Sequence, residues 1–421
     1  MRKRILGVFI GLGMIGAAFL CGACAFSGTK IITVWTDQSI VALYADYFNS
    51  AQDRYKTEVF YFDNVCEHLS ETKPRGREGP DIVIGNWLSS TDTLALFKPV
   101  KAYYPNAPLS DVFYSGLLEN GSIKDEQVLL PVSFDLYALA FDRNNSALLP
   151  DPFSIDISVI QQIASDYNLM RNGVWTRLGF SPLWNEAFLF LASELYGVNW
   201  SEDHPVSWDA DKLEQTLEEL REWVIVANDS IEADNDFYFK YFYEPPDKLA
   251  ANDRILFTFT RVSDFFKLAE EQRSAIDFRW LEYENRIIPA ENVVYYGIYR
   301  NSRSKDAAAA FTEWFFNAET QQQFLARGKT TRSAETYFGI ANGISAMRAV
   351  TETIFPQYYS GMLGHVPPEE KIISPGVFPS FFPEIKERVI LPYLREKIRL
   401  YDAPSKPRPL ELRLSDWVRT G

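Results

Sequence analysis

Residues 31–35 (I-I-T-V-W) form a β-branched run that reads as a buried strand. Behind it Ile40, Leu43, Tyr44, Tyr47, Phe48 and Ala51 recur alternately three and one apart, which is one face of a helix. Asp37 or Ser39 stands where the cap of that helix belongs. Residues 57–62 and 81–84 are two more apolar strands, the second preceded by a polar, glycine-containing stretch at 71–80. Strand, helix, strand in this order is a βαβ unit and predicts a parallel sheet. Residues 129–142 are again apolar, and their Pro131 and Asp135 mark a crossing segment rather than a central strand. From 154 to 226 the pattern turns helical, with Leu213, Leu217, Leu220 and Val224 on one face. Residues 228–246 read as loop with one short helix, and 254–259, 276–281 and 293–300 as strands. Ser304 caps a long helix over 304–326 whose apolar side carries Phe311, Trp314, Phe315 and Phe324. A glycine-rich turn at 337–343 leads into a mostly helical region, 350–399, broken by prolines. A stiff proline linker at 404–409 and a last helix over 410–418 complete the pattern, which holds no internal repeat.

The first 24 residues bear on the compartment. M-R-K-R is a basic start, and residues 5–20 are an uncharged apolar run, short for a membrane span of roughly 20 residues. Leu20-Cys21-Gly22-Ala23-Cys24 follows, a signal-peptide layout in which Gly22-Ala23-Cys24 resembles a bacterial lipobox. Cys21 stands where an aliphatic residue is usual, so plain secretion or an uncleaved anchor competes with acylation at Cys24. Gly11 to Gly16 matches G-x-G-x-x-G, with Asp37 downstream. That fingerprint needs a strand before it, and M-R-K-R is not one, so the nucleotide reading is set aside.

Composition then narrows the chemistry. Among 421 residues, 42 are Lys or Arg and 56 Asp or Glu, for a net charge of −14. Loss of residues 1–23 removes three basic side chains and leaves −17. A duplex-binding groove is excluded on such a surface. Three His and three Cys leave little from which to build a transition-metal site, and no cofactor is indicated. With Cys24 acylated and Cys21 removed, Cys66 is the remaining thiol and stability rests on core burial. Aromatic residues reach 15% of the chain.

Ligands of open parallel sheets bind beyond the carboxyl ends of the strands. The first strand ends at Trp35-Thr36-Asp37-Gln38 and the third at Gly85-Asn86-Trp87. An aromatic beside a carboxylate or amide suits a sugar, which offers an apolar C–H face and paired hydroxyls. The competing reading makes Trp35 and Trp87 core residues and Asp37 a cap.

These same residues carry a family likeness. I-T-V-W-T-D-Q-S-I-V-A-L-Y-A-D-Y-F-N, P-D-I-V-I-G-N-W-L, L-L-P-V-S-F-D-L-Y-A-L-A-F-D-R-N, S-P-L-W-N-E-A-F-L-F-L-A-S-E-L-Y-G, I-L-F-T-F-T and Y-Y-G-I-Y-R-N-S-R-S-K-D resemble, in order, segments of the extracellular solute-binding proteins of ABC importers. The resemblance is to the sugar-binding, maltose-binding-protein-like family and runs from Ile31 to Tyr401. It implies an α/β, two-lobed periplasmic-binding-protein-like fold of type II, each lobe a mostly parallel sheet flanked by helices, joined by a hinge. The implied division is a signal peptide at 1–23, a lipid-anchored tether at 24–30, lobe 1 at 31–134 plus 278–328, lobe 2 at 135–277 plus 329–403, and a C-terminal linker and helix at 404–421. The chain is expected to cross at 133–139, return at 276–281 and cross again at 327–332. By position the resemblance implicates Trp35, Asp37, Gln38, Asn86 and Trp87 of lobe 1 and Asp135 at the hinge. From lobe 2 it implicates Trp184, Asn185, Phe259, Arg261, Asn342 and Phe381 or Phe382. Plain packing roles compete for several: Asp135 as a hinge cap, Trp184 as a staple, Arg261 in an ion pair, Phe381 and Phe382 as core.

Enzyme motifs are weak by comparison. G-x-S-x-G, H-E-x-x-H and G-x-x-x-x-G-K-[ST] are absent from the sequence. Cys66 and His68 on one strand face lack an orienting acid, and an Asp37/Asp135 carboxylate pair is a matter of separation. The expectation is a monomeric, membrane-anchored extracytoplasmic receptor, not an enzyme. It would close on a small solute, most simply a carbohydrate, and deliver it to an ABC permease, without nucleic-acid partners. The alternatives are a structural or adhesive lipoprotein on the same scaffold, or a receptor for a polyamine or peptide.

Overall fold

The computed structural model describes residues 29–73, 79–105, 108–291, 293–330, 337–401 and 406–420. Cys21, Cys24, the lipobox and the G-x-G-x-x-G run lie outside these residues. The principal strands are β1 (Lys30–Thr36), β2 (Tyr55–Tyr61), β3 (Ile82–Asn86), β4 (Leu129–Phe134), β5 (Tyr137–Asp142), β6 (Ser154–Asp156), β7 (Thr258–Arg261), β8 (Ile276–Glu282), β9 (Val294–Ile298) and β10 (Ile344–Ser345). The helices that matter below are α1 (Val41–Ala51), α2 (Val65–Thr72), α3 (Glu186–Leu195), α4 (Ala210–Asn228), α5 (Ile231–Lys240), α6 (Val262–Lys267), α7 (Lys305–Phe315), α8 (Ala318–Thr330) and α9 (Leu410–Thr420).

Lobe 1 is a six-stranded sheet ordered β10-β4-β9-β3-β1-β2, and lobe 2 a four-stranded sheet ordered β7-β5-β8-β6. The βαβ unit is present: β1 runs parallel to both β2 and β3, with Trp35 level with Phe60 and Val83. β9 is antiparallel to β3 and β4, and β5 is antiparallel to β7 and β8, so both sheets are mixed. Val34, Ile84, Tyr296 and Phe315 belong to the first core, and Leu139, Phe141, Phe188 and Phe257 to the second. The first core reaches across to the other face of the lobe 2 sheet through Phe278 and Trp280. Phe266 and Phe338 stack there at 5.0° interplanar tilt and 5.3 Å.

Several local expectations need correction. Neither Asp37 nor Ser39 caps α1; the cap position is Ile40 and no side chain serves it. The helix expected over 304–326 is two, because Asn317 accepts hydrogen bonds from the N–H groups of Glu319 and Thr320 and starts α8 afresh. Ser304 makes no side-chain cap. Cys66 and His68 lie on α2, not on a strand, with Asn64 accepting from Glu67 N–H at its start.

The hinge is also placed differently. The first crossing falls between β4 and β5, at Asp135 and Leu136, within the expected 133–139. The strand at 276–281, expected to return to lobe 1, is β8, which pairs with β5 and β6 inside lobe 2. The return follows β8: Pro289 bridges Leu136, and Ala290 N–H donates to Asp135 O. Residues 338–372 still pack on the first core, through Phe338, Val350, Phe355, Met362 and Ile372. The last crossing is therefore near Ile372, which bridges Ile287, and not at 327–332. Three chain segments lie side by side at the hinge. Beyond it α9 docks on lobe 2, with Leu410 and Leu414 buried. Among the described residues no helix is long and apolar enough to cross a membrane.

Candidate functional site

The lobe 1 wall follows from two parallel strands ending side by side. Thr36 of β1 is level with Ile84 of β3, so the residues just beyond each strand meet. Asp37 accepts the Asn86 N–H at 3.1 Å and the Gln38 side-chain amide at 2.8 Å. Burial outweighs these donors and raises the Asp37 carboxyl to about 6. Gly85 is required between them, because a Cβ there would lie 2.4 Å from Val65 Cγ1 and 3.0 Å from each Asp37 oxygen. Trp87 turns the chain with φ +62°. Its carbonyl accepts from the Cys66 thiol at 3.2 Å, and burial pushes that thiol up to about 11. Cys66 is thus a protonated structural donor, while the His68 ring stacks on Phe62 at 4.1 Å.

Asp135 forms the hinge floor. Only 3% exposed, it accepts from Leu136 N–H, Ser263 N–H and the Ser263 hydroxyl at 2.9, 3.1 and 2.5 Å. Burial raises its pKa, and the Ser263 hydroxyl and the Arg261 guanidinium oppose that rise.

The lobe 2 wall is a buried charged cluster. Tyr137 donates to Glu291 at 3.3 Å, and the Arg261 guanidinium lies over the Tyr137 ring at 5.7 Å. Lys386 pairs with Glu291, their side chains 8% and 5% exposed, and its ammonium sits 4.1 Å above the Phe190 ring. Burial pushes Glu194 up and Lys386 down, and their mutual attraction opposes both shifts. Trp87 reaches across to this wall: it packs against both cores, its ring 6.2 Å from Phe382. Asn64 donates to Ser380 O at 3.0 Å, and Thr91 N–H to Glu202 at 2.9 Å. The lobes are closed on each other.

The structure brings Asp37, Gln38, Asn86 and Trp87 together on one wall and sets Asp135 and Arg261 at the hinge. It does not gather the rest there. Trp35 is buried in lobe 1 against the stacked Phe62 and His68 rings, at 5.0 and 5.1 Å. Trp184, Asn185 and Phe259 line a cavity of about 290 Å³ built from lobe 2 residues, and Phe259 also stacks on Tyr137 of the lobe 2 wall at 5.0 Å. Asn185 also caps α3 by accepting from Ala187 N–H. Phe381 stacks on Trp417 of α9 at 5.7 Å, and Phe382 is buried against Phe378. Asn342 stands on its turn with φ +62°. The side-chain oxygens of Asn86 and Asn342 are both buried without a hydrogen-bond partner.

Sequence reasoning missed Tyr137, Glu194, Glu291 and Lys386. One signal existed: Glu194 interrupts F-L-F-L-A-S-E-L, an acid within an otherwise apolar helix. Glu291 and Lys386 carry no comparable mark.

A sheet-and-helix lobe entered and left through three adjoining hinge segments is a specific architecture. The fold is that of the two-lobed, type II periplasmic binding proteins. The sugar-binding protein MalE from Xanthomonas citri superposes with a TM-score of 0.62 at 12% identity, over 93% of this chain and 96% of that one. The cyclic α-maltosyl-1,6-maltose binding protein of Arthrobacter globiformis gives 0.57 at 14% identity, over 92% and 97%. The maltose-maltodextrin binding protein of Alicyclobacillus acidocaldarius gives 0.53 at 15%, over 93% and 99%. No family model matches the sequence, and no curated protein matches it either. At these identities the likeness establishes the two-lobed fold.

Proposed function

We propose that this chain is the extracytoplasmic substrate-binding component of an ABC importer, a binding protein rather than an enzyme. It captures a saccharide between its lobes and delivers it to a membrane permease as a monomer, held to the bilayer by acylation at Cys24. The observation that carries this reading is the seam itself. Asp37, Asn86 and Trp87 stand together on lobe 1, and Trp87 reaches Phe382 of lobe 2, which packs on Phe190 beneath Lys386. A ligand touching both walls makes its full set of contacts only when the lobes are closed, so it shifts the open–closed equilibrium by its differential affinity. Asn86, with a buried oxygen that has no protein partner, supplies an acceptor suited to a sugar hydroxyl. The solved proteins named above, described as sugar- and maltodextrin-binding, support the carbohydrate class.

Thermal unfolding of residues 30–421 against a panel of mono- and oligosaccharides tests the proposal. A saccharide at ~100 times its dissociation constant stabilises by about 2.7 kcal/mol, a rise of several degrees. A flat response to every saccharide from a folded protein refutes the sugar-receptor reading.

A further inference from the structure

A cavity of about 620 Å³ lies where α1 and α8 of lobe 1 meet residues 266–273 of lobe 2. Three hydrogen-bond donors converge on it. Tyr44 of α1 and Tyr359 both line the cavity, and their hydroxyls accept backbone N–H groups of one turn, from Ala341 at 3.1 Å and Gly339 at 2.8 Å. Donors two residues apart on a turn hold the two hydroxyls close together. Neither O–H has a protein acceptor among the described residues, so each still has a proton to donate. Burial pushes both phenols up and keeps them protonated. Tyr359 adds to that rise at Tyr44, and the Arg273 guanidinium opposes it at Tyr359, as near neighbours do. Arg273 stands on the short helix Glu270–Ala275 of lobe 2. Its Nη1 donates to the Phe266 and Leu268 carbonyls at 2.9 and 3.3 Å, which fixes the guanidinium, while Nε and Nη2 donate to no other group among the described residues.

That donor set selects an anion. Two phenol O–H groups and a guanidinium edge offer protons with no acceptor between them, and a carboxylate, which only accepts, takes all three at once. A neutral saccharide hydroxyl would need an acceptor there for its own proton. Lys267 adds a second cation at the rim, 31% exposed and only loosely paired with Asp264 at 3.8 Å. Glu270, which is exposed, is the one acid among the described lining residues. Most of the remaining lining is apolar, including Ile40, Leu43, Leu268 and Leu325, and suits an apolar body behind the charge.

We propose that this cavity binds a small carboxylate with an apolar body, its carboxyl group held by the Tyr44 and Tyr359 hydroxyls and by Arg273. Tyr44 belongs to lobe 1 and Arg273 to lobe 2, so the ligand ties the lobes together at a second place. The proposal stands on this cavity alone and does not depend on what the interlobe seam binds.

Isothermal titration of the protein with 3-phenylpropionate and its neutral isostere 3-phenylpropanamide tests it. The carboxylate is expected to bind about 10-fold or more tightly than the amide. Tyr359→Phe removes one donor and should narrow that preference. Glu270→Gln, an exchange at the exposed rim, should tighten the carboxylate about 2- to 5-fold and leave the amide unchanged, which a purely apolar pocket would not do. Asn86→Ala, on the seam, should leave carboxylate binding as it was. Equal binding of acid and amide would mean an apolar pocket with no anion site and overturn the proposal. So would absence of carboxylate binding, or competitive displacement of the carboxylate by the saccharide that stabilises the protein.

Discussion

Asn86 separates binding from folding at a single side chain. Its buried oxygen has no partner in the closed protein, and removing an unsatisfied buried acceptor costs little or helps. Asn86→Ala is therefore expected to weaken saccharide affinity by about 10-fold or more, while the ligand-free melting temperature stays level or rises. Paired thermal-shift and calorimetric measurements check both halves. Asp37 makes the companion case for charge. Its folded pKa of about 6 exceeds the ordinary 3.8, so folding takes up a proton between those values. Stability contributed by this group is full below about pH 4 and is lost as pH rises through about 6, by up to about 3 kcal/mol. Denaturant unfolding of Asp37→Asn should show a flatter profile across that window than the parent chain. That Asp37, Asn86 and Trp87 lie together was legible in the sequence because adjacent parallel strands end side by side. Glu194, Glu291 and Lys386 were not, since about a hundred residues separate each from the next and only packing sets them side by side.

Elements carry the hinge. Ser263, at the start of α6, gives Asp135 both its N–H and its hydroxyl. Ser263→Ala leaves a buried carboxyl short of one donor and is expected to cost about 1–3 kcal/mol in denaturant unfolding, while Ser263→Thr retains the donor and most of the stability. The apolar runs predicted β1, β2 and β3 well, because a strand's period is local, whereas 129–142, expected as a crossing segment rather than a central strand, is two inner strands, β4 and β5, with the crossing between them. The long helix at 304–326 was split by Asn317, whose side chain competes with the helix backbone for hydrogen bonds, a choice its apolar spacing does not show. The helix α2 was hidden by a polar surface, its buried positions reduced to Val65, Cys66 and Leu69.

At the scale of the whole molecule, the lobes share a core through Phe266, Phe278 and Trp280, and the strand-end seam adds a few contacts to it. Asn64 to Ser380, Thr91 to Glu202 and Trp87 against Phe382 join the lobes away from the hinge. Glu202→Ala removes one rim hydrogen bond worth about 0.5–1.5 kcal/mol and should lower saccharide affinity about 2- to 10-fold by favouring the open form. Small-angle scattering should then show a larger radius of gyration for the variant at subsaturating ligand, and the same compact form for both at saturation. Sequence by itself determined the α/β character, the order of the main strands and the strand-end residues of lobe 1, since these follow from side-chain period and local backbone preference. Only the tertiary structure decided which sheet each strand joins, where the chain recrosses the hinge, and that Trp184 turns into a cavity inside lobe 2 while Phe259 lies between that cavity and Tyr137. β8 shows why: an apolar strand fits the sheet of either lobe equally well by its own pattern. Hydrogen-bond register with β5 and β6, formed by residues more than a hundred positions away, is what assigns it to lobe 2.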